Sequence, residues 1–386
     1  TRAAQGLATD HGGDGAQRLA VHHGRIALDM AVAQVNHQGN HQAVPLAPWL
    51  IAQSAELRRQ RGHAWLLHGP SGLGQYELAM SLARAWLCDN PGEQGACGHC
   101  GSCHSIDVRT HADLCVLMPE TLQIELGWPL HETAQKEIDD KKRKASKEIR
   151  VDAMRAAVEF AQRTSARGKG KAVLVYPAER MNAVTANALL KTLEEPPGDV
   201  RFVLACEAVH QLLPTIRSRC LGHAMVWPQT DAALAWLKAC GVDGSDAPVW
   251  LRASGGRPDD ALTLAQSGAP AKLWGDLPRM VAKGDARGLA DLPMAQVVSV
   301  LQKLCHDLMA VQTGAEPRFF DTKDLPAAPN VSVLSEWSLA LSRSARTAEH
   351  PFNAGLMLES LASQAYNTLQ NLPKPQAKSR LAPAGN

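Results

Sequence analysis

Between residues 49 and 228 the apolar positions keep changing their period. Residues 49–60 carry a helical stripe, and Ala64-Trp65-Leu66-Leu67-His68 is a brief apolar run that stops at glycine. Such a run predicts a short buried strand. Residues 77–87 return to an amphipathic helical pattern, and residues 114–117 predict a second strand. The alternation continues with a helix over 151–164, a strand over 172–176, a helix over 183–193 and a strand over 202–205. Pro196 and Pro197 stop the third of these, because proline cannot continue a helix. Strands alternating with helices predict an α/β fold whose parallel sheet is covered on both faces. Beyond Pro228 the strand signals fade. Leu- and Ala-rich helices follow, separated by Gly/Pro breaks at 241–246, 255–258 and 268–270.

Composition narrows the classes. The 386 residues are 45% hydrophobic and 20% charged, which allows two or three domains with proper cores. Lys plus Arg is 40 against 38 Asp plus Glu, giving a net charge of +2. That balance excludes a polycationic nucleic-acid coat and an acidic disordered chain, though not a local basic patch. Aromatic residues are only 4%, little material for stacking single strands. Neither a membrane-spanning run nor a secretion signal is seen, so a cytoplasmic location without membrane contact is expected. Residues 1–43, rich in His, Gly, Gln and Asn and starting at Thr1, are expected to be a disordered or artefactual extension, and 373–386 a disordered tail. Residues 121–147 are charged, with Lys141-Lys142-Arg143-Lys144 near their end, and are read as an exposed, solvated insertion.

A glycine loop follows the first strand. A phosphate loop needs two glycines in a strand-to-helix turn, a lysine for the β/γ oxygens, and a Ser or Thr for Mg²⁺. Gly69-Pro70-Ser71-Gly72-Leu73-Gly74 keeps the turn, but Gln75 and Tyr76 replace both chemical groups. The strand that should end in a metal-orienting acid ends instead in Tyr176, with Glu179 three residues on. Two losses at one site argue against ATP hydrolysis here and for a chain that binds no ATP of its own.

The nine cysteines are unevenly spread: Cys88, Cys97, Cys100 and Cys103 crowd one glycine-rich connection. Four thiolates with tight turns between them suit a closed, structural Zn²⁺ site, with an iron–sulfur cluster as the alternative. His99 and His104 are substitute ligands that four cysteines make unnecessary. Cys115, Cys206, Cys220, Cys240 and Cys305 are scattered and read as core or chance positions.

The run from Met181 to Pro197 (MNAVTANALLKTLEEPP), followed by Leu212-Leu213-Pro214-Thr215-Ile216-Arg217-Ser218-Arg219-Cys220, resembles the delta-prime subunits of the bacterial DNA polymerase III clamp loader, a family of AAA+ proteins. The cysteine insertion after the first helix agrees, and the likeness covers about 45–275. The resemblance implies a hetero-pentamer with motor (gamma/tau-type) and delta subunits, which loads the sliding clamp onto primed DNA in ATP-dependent fashion. It also implies an AAA+ core over 44–227 holding the zinc module (88–103), a helical lid over 228–270 and a helical collar over 271–372. This chain would be a non-catalytic stator, with Arg219 of Ser218-Arg219-Cys220 acting as an arginine finger on a neighbour's ATP. Arg217 is a weaker helper. In the family's sensor positions stand Cys206 and Asp259, the latter subject to slippage towards Arg257, and both substitutions favour a nucleotide-free site. Asn187 and Lys191 share one helix face. Two other readings compete: a self-sufficient AAA+ ATPase, opposed by Gln75 and Tyr76, and an unrelated zinc-ribbon DNA-binding protein, opposed by the modest net charge.

Overall fold

A computed structural model describes residues 46–348 and 353–371. The proposed extension and tail therefore lie outside the described residues. The chain divides after Trp227 into two compact units.

The first unit opens with α1 (Pro48–Arg59), β1 (Ala64–His68) and α2 (Gln75–Leu87), then α3 (Gly101–Asp107) and β2 (Leu114–Leu117). Two short helices, α4 (Glu120–Glu125) and α5 (Glu132–Asp139), precede α6 (Val151–Gln162) and β3 (Lys171–Val175). The unit closes with α7 (Ala183–Glu194), β4 (Val200–Cys206), α8 (Pro214–Arg217) and β5 (Leu221–Ala224). The five strands lie in the order β2-β3-β4-β1-β5, and every pairing is parallel. Leu66 of β1 lies opposite Leu204 of β4, and Val173 of β3 opposite Phe202. β3 is buried at every position, as a strand covered on both faces must be. On one face Phe202, Val173 and Leu204 pack with Met154 and Ala157 of α6 and Leu189 and Leu193 of α7. On the other, Ala83 and Leu87 of α2 meet Ile106 and Ala172. Each such fully buried large side chain stabilises the fold by about 1.5–3 kcal/mol.

β5 was not expected from the pattern. Leu221, Gly222 and Ala224 are exposed and, among the described residues, the strand pairs only with β1, so an edge strand of this kind shows no apolar run. The charged insertion also differs from a uniformly solvated loop. Arg143, inside the basic run, makes a bidentate pair with the buried Glu120 at 2.5 and 2.8 Å and a further bond to Glu137 at 2.7 Å. Asp113, fully buried, fixes the loop before β3 by accepting from Ser165 Oγ, the amides of Ala166 and Arg167, and Lys171 Nζ.

The second unit is helical: α9 (Thr230–Ala239), α10 (Ala247–Ala253), α11 (Pro258–Gln266), α12 (Ala271–Ala282), α13 (Met294–Gln312), α14 (Val331–Thr347) and α15 (Ala354–Gln370). Fully buried Asp307 of α13 accepts the amides of Arg318, Phe319 and Phe320 at 2.9, 2.7 and 2.8 Å, and Phe320 stacks on Trp274. Lys303 donates to the Ala253 carbonyl at 2.8 Å and sits over the Trp274 ring, tying α13 to α10. Among the described residues, no helix is long and apolar enough to cross a membrane.

Candidate functional site

The carboxyl end of β1 runs directly into the glycine loop, the place where open parallel sheets bind ligands. Gly72 and Gly74 hold φ of 73° and 87°, left-handed values that a side chain would strain. α2 then starts at Gln75, two residues earlier than its periodicity suggests. The Gln75 amide turns back into the loop, donating to the carbonyls of Gly69 at 2.9 Å and Pro70 at 2.7 Å, and the residue is buried. Loop carbonyls are thus satisfied from within, and no cation stands at the position of the phosphate-binding lysine. Tyr76 packs its ring on Tyr176, with centroids 5.4 Å apart, just past the end of β3. Its hydroxyl accepts from Trp128 Nε1 at 2.8 Å, and burial pushes the phenol up to about 12. Tyr176 donates to Glu207 Oε1 at 3.1 Å, and Glu179 accepts the Glu207 amide at 3.0 Å. Glu179 thus holds a loop amide. Trp128, which closes this aromatic group from the insertion and lies under the Arg109 guanidinium, had no signal in the sequence beyond being a large apolar residue among charged ones.

The four clustered cysteines converge: one sulfur from each lies within 4.8 Å of all the others. Cys88 Sγ stands 3.5 Å from that of Cys97 and 3.7 Å from those of Cys100 and Cys103. A tetrahedral ion about 2.3 Å from each sulfur requires sulfur–sulfur edges of about 3.8 Å, so the donor set fits a metal ion. Backbone amides reinforce the fit. Cys97 N donates to Cys88 Sγ at 3.3 Å and Cys103 N to Cys100 Sγ at 3.4 Å. Burial disfavours ionisation of Cys100, but the amides of Cys103 and Asp89 outweigh it and bring this thiol down to about 6, whereas burial pushes the thiols of Cys88 and Cys103 up. His99 and His104 are exposed, with His99 bonded to the Cys97 carbonyl. Around the sulfurs, Asp89 accepts from Ser102 and pairs with Arg167, linking the module to the loop before β3. Of the other thiols, Cys206 and Cys305 are buried, while Cys115, Cys220 and Cys240 are partly so.

Arg219 follows α8 in the turn that leads to β5, its side chain 30% exposed. Nε donates to Glu194 Oε1 at 2.6 Å, Nη2 donates to the same oxygen, and Nη1 donates to the Thr215 carbonyl at 2.8 Å. Glu194 ends α7, the helix whose exposed face carries Val184, Asn187 and Lys191. The pairing escaped sequence reasoning, although an acid at a helix C-terminus, against the macrodipole, is a signal. Cys206 ends β4, fully buried, its thiol pushed up to about 12 by burial and the nearby Glu179 and Glu207. In the second unit Arg257 is taken up by Asp260 at 2.8 Å and the Ser254 carbonyl, and the Asp259 carbonyl accepts from Thr263.

Residues 50–225 match the family described as DNA polymerase III, delta subunit. The chain is 40% identical over 298 residues to DNA polymerase III subunit delta' of Pseudomonas aeruginosa, covering 77% of each. It is 35% identical over 225 residues to the subunit of that name in Escherichia coli, covering 57% of this chain and 60% of that one. To the tau subunit of Escherichia coli it is 32% identical over 159 residues, covering 41% of this chain and 21% of that one. Together with the parallel sheet, the filled glycine loop and the Ser-Arg-Cys turn, these likenesses show that the chain belongs to the DNA polymerase III subunit delta' family of clamp-loader proteins.

Proposed function

We propose that the chain is a non-catalytic stator subunit of a DNA polymerase III clamp loader, completing a neighbouring motor subunit's ATP site with Arg219 while binding no ATP itself. One observation carries the reading: Arg219 is partly exposed in the Ser-Arg-Cys turn, while Gln75, Tyr76, Tyr176 and Trp128 fill the chain's own phosphate site. A guanidinium brought to the developing charge of a transferring phosphoryl group is worth roughly 10³–10⁵ in rate. Gln75 offers no charge to a phosphate, and Tyr76 is too bulky to serve as the Mg²⁺ ligand.

Within this reading the first unit is an AAA+ core, residues 228–270 a helical lid and 271–372 a collar through which motor (gamma/tau-type) and delta subunits assemble as a hetero-pentamer. The assembled complex loads the sliding clamp onto primed DNA in the cytoplasm. Cys88, Cys97, Cys100 and Cys103 would hold Zn²⁺, which supplies folding stability; four protein ligands leave no open position for catalysis. The competing reading, a self-sufficient ATPase, is opposed by the Gln75 hydrogen bonds that close the loop. The test is a loader reconstituted with Arg219→Ala. DNA-stimulated ATPase is expected to fall while assembly stays intact, and unchanged turnover would remove the finger assignment.

A further inference from the structure

We infer that Glu194 is a positioning residue for Arg219, gripping the flank of the guanidinium and fixing its orientation for a neighbour's triphosphate. The inference rests on the trans-acting role of Arg219 proposed above. Arg219 offers five N–H donors. Glu194 Oε1 takes Nε and one N–H of Nη2, and the Thr215 carbonyl and Ser218 Oγ take Nη1. These bonds engage all three guanidinium nitrogens and leave one Nη2 N–H uncommitted.

Stability alone gives little reason for the pair. Glu194 is exposed and Arg219 partly so, at 47% and 30%, and ion pairs this open to solvent contribute little to folding. Glu194 is also the last residue of α7, where the helix dipole disfavours a negative charge. Its carboxylate therefore stands where helix formation gains nothing from it, in front of the one arginine of the Ser-Arg-Cys turn. A long, flexible side chain loses orientational freedom when gripped in this way. That entropy is then spent before the phosphoryl group develops charge, which is how a held group accelerates a reaction.

The experiment compares full-length wild type, Glu194→Gln, Arg219→Ala and the double variant, each assembled with the motor and delta subunits of its own organism. Assembly is checked by gel filtration, and kcat and KM for ATP are measured with primed DNA. Glu194→Gln keeps the side-chain volume and removes the charge that grips the guanidinium. Its kcat is expected to drop about tenfold, the scale of one charge-assisted hydrogen bond, with KM and assembly unchanged. The double variant is expected to be no slower than Arg219→Ala alone, because Glu194 acts only through the arginine. A purely structural Glu194 would impair assembly and leave the kcat of assembled complex at the wild-type value, overturning the inference. Additive losses in the double variant would overturn it too. If Arg219→Ala itself leaves kcat untouched, the finger reading fails; if it lowers kcat and Glu194→Gln does not, only the positioning role fails.

Discussion

Gln75 occupies the position at which a working phosphate loop places its lysine, and its two hydrogen bonds go to the loop's own carbonyls. Replacing it with Ala removes both bonds to the loop carbonyls, and Gln75→Ala should lower the stability of the first unit by about 1–2 kcal/mol in urea denaturation. No loss of stability would mean that the loop closes without it. Lys303 gives a signed pH dependence. Burial first, and then the charge of Arg257, bring its ammonium down to about 8 in the folded chain, against about 10.4 in an unfolded one. Between those values the unfolded state binds more protons, so folding stability gained from this group rises with pH. The stability of wild type minus that of Lys303→Met, by chemical denaturation, is expected to increase from pH 8 to 10.4; a flat difference would refute it.

Among the elements, the cysteine module and the insertion make the clearest claims. Because the four sulfurs span the edges of a metal tetrahedron, removing the ion with a chelator should unfold the module and lower the melting midpoint of the first unit by more than about 5 °C. Elemental analysis should find about one zinc per chain, as a closed four-thiolate site takes one ion. Protein purified without chelator that carries no metal would contradict both expectations. Trp128 anchors the insertion on Tyr76, so Trp128→Ala should speed amide exchange across residues 121–147 and 69–76, and unchanged exchange would show the anchor to be idle. Much of this layer was legible in the sequence. β1 and β2 lie where short apolar runs place them: β1, buried on both faces, leaves a continuous hydrophobic segment, and β2, at the sheet edge and partly buried, still carries an apolar run. The cysteine spacing announced a cluster for the same kind of reason, since ligands on one connection are local in sequence. What was not legible depends on partners distant in the chain. β5 has polar and exposed positions and exists by pairing with β1. Arg143 looked like one more solvated charge until folding set Glu120 beside it, and Glu194 meets Arg219 across 25 residues.

At the scale of the molecule, an α/β unit ending at Trp227 carries all three candidate features, and a helical unit follows. The proposed stator role accounts for their combination, since a subunit set beside an ATP-binding neighbour could lose its own phosphate chemistry and keep a residue that serves that neighbour. The central claim is that this chain lends a guanidinium to another subunit's nucleotide and spends none itself. The measurement that tests it most directly is DNA-stimulated ATP turnover of loaders rebuilt in parallel with Arg219→Ala and with Gln75→Ala. The account predicts a marked fall for the first and wild-type turnover for the second. A severe loss with Gln75→Ala alongside normal turnover with Arg219→Ala would contradict it.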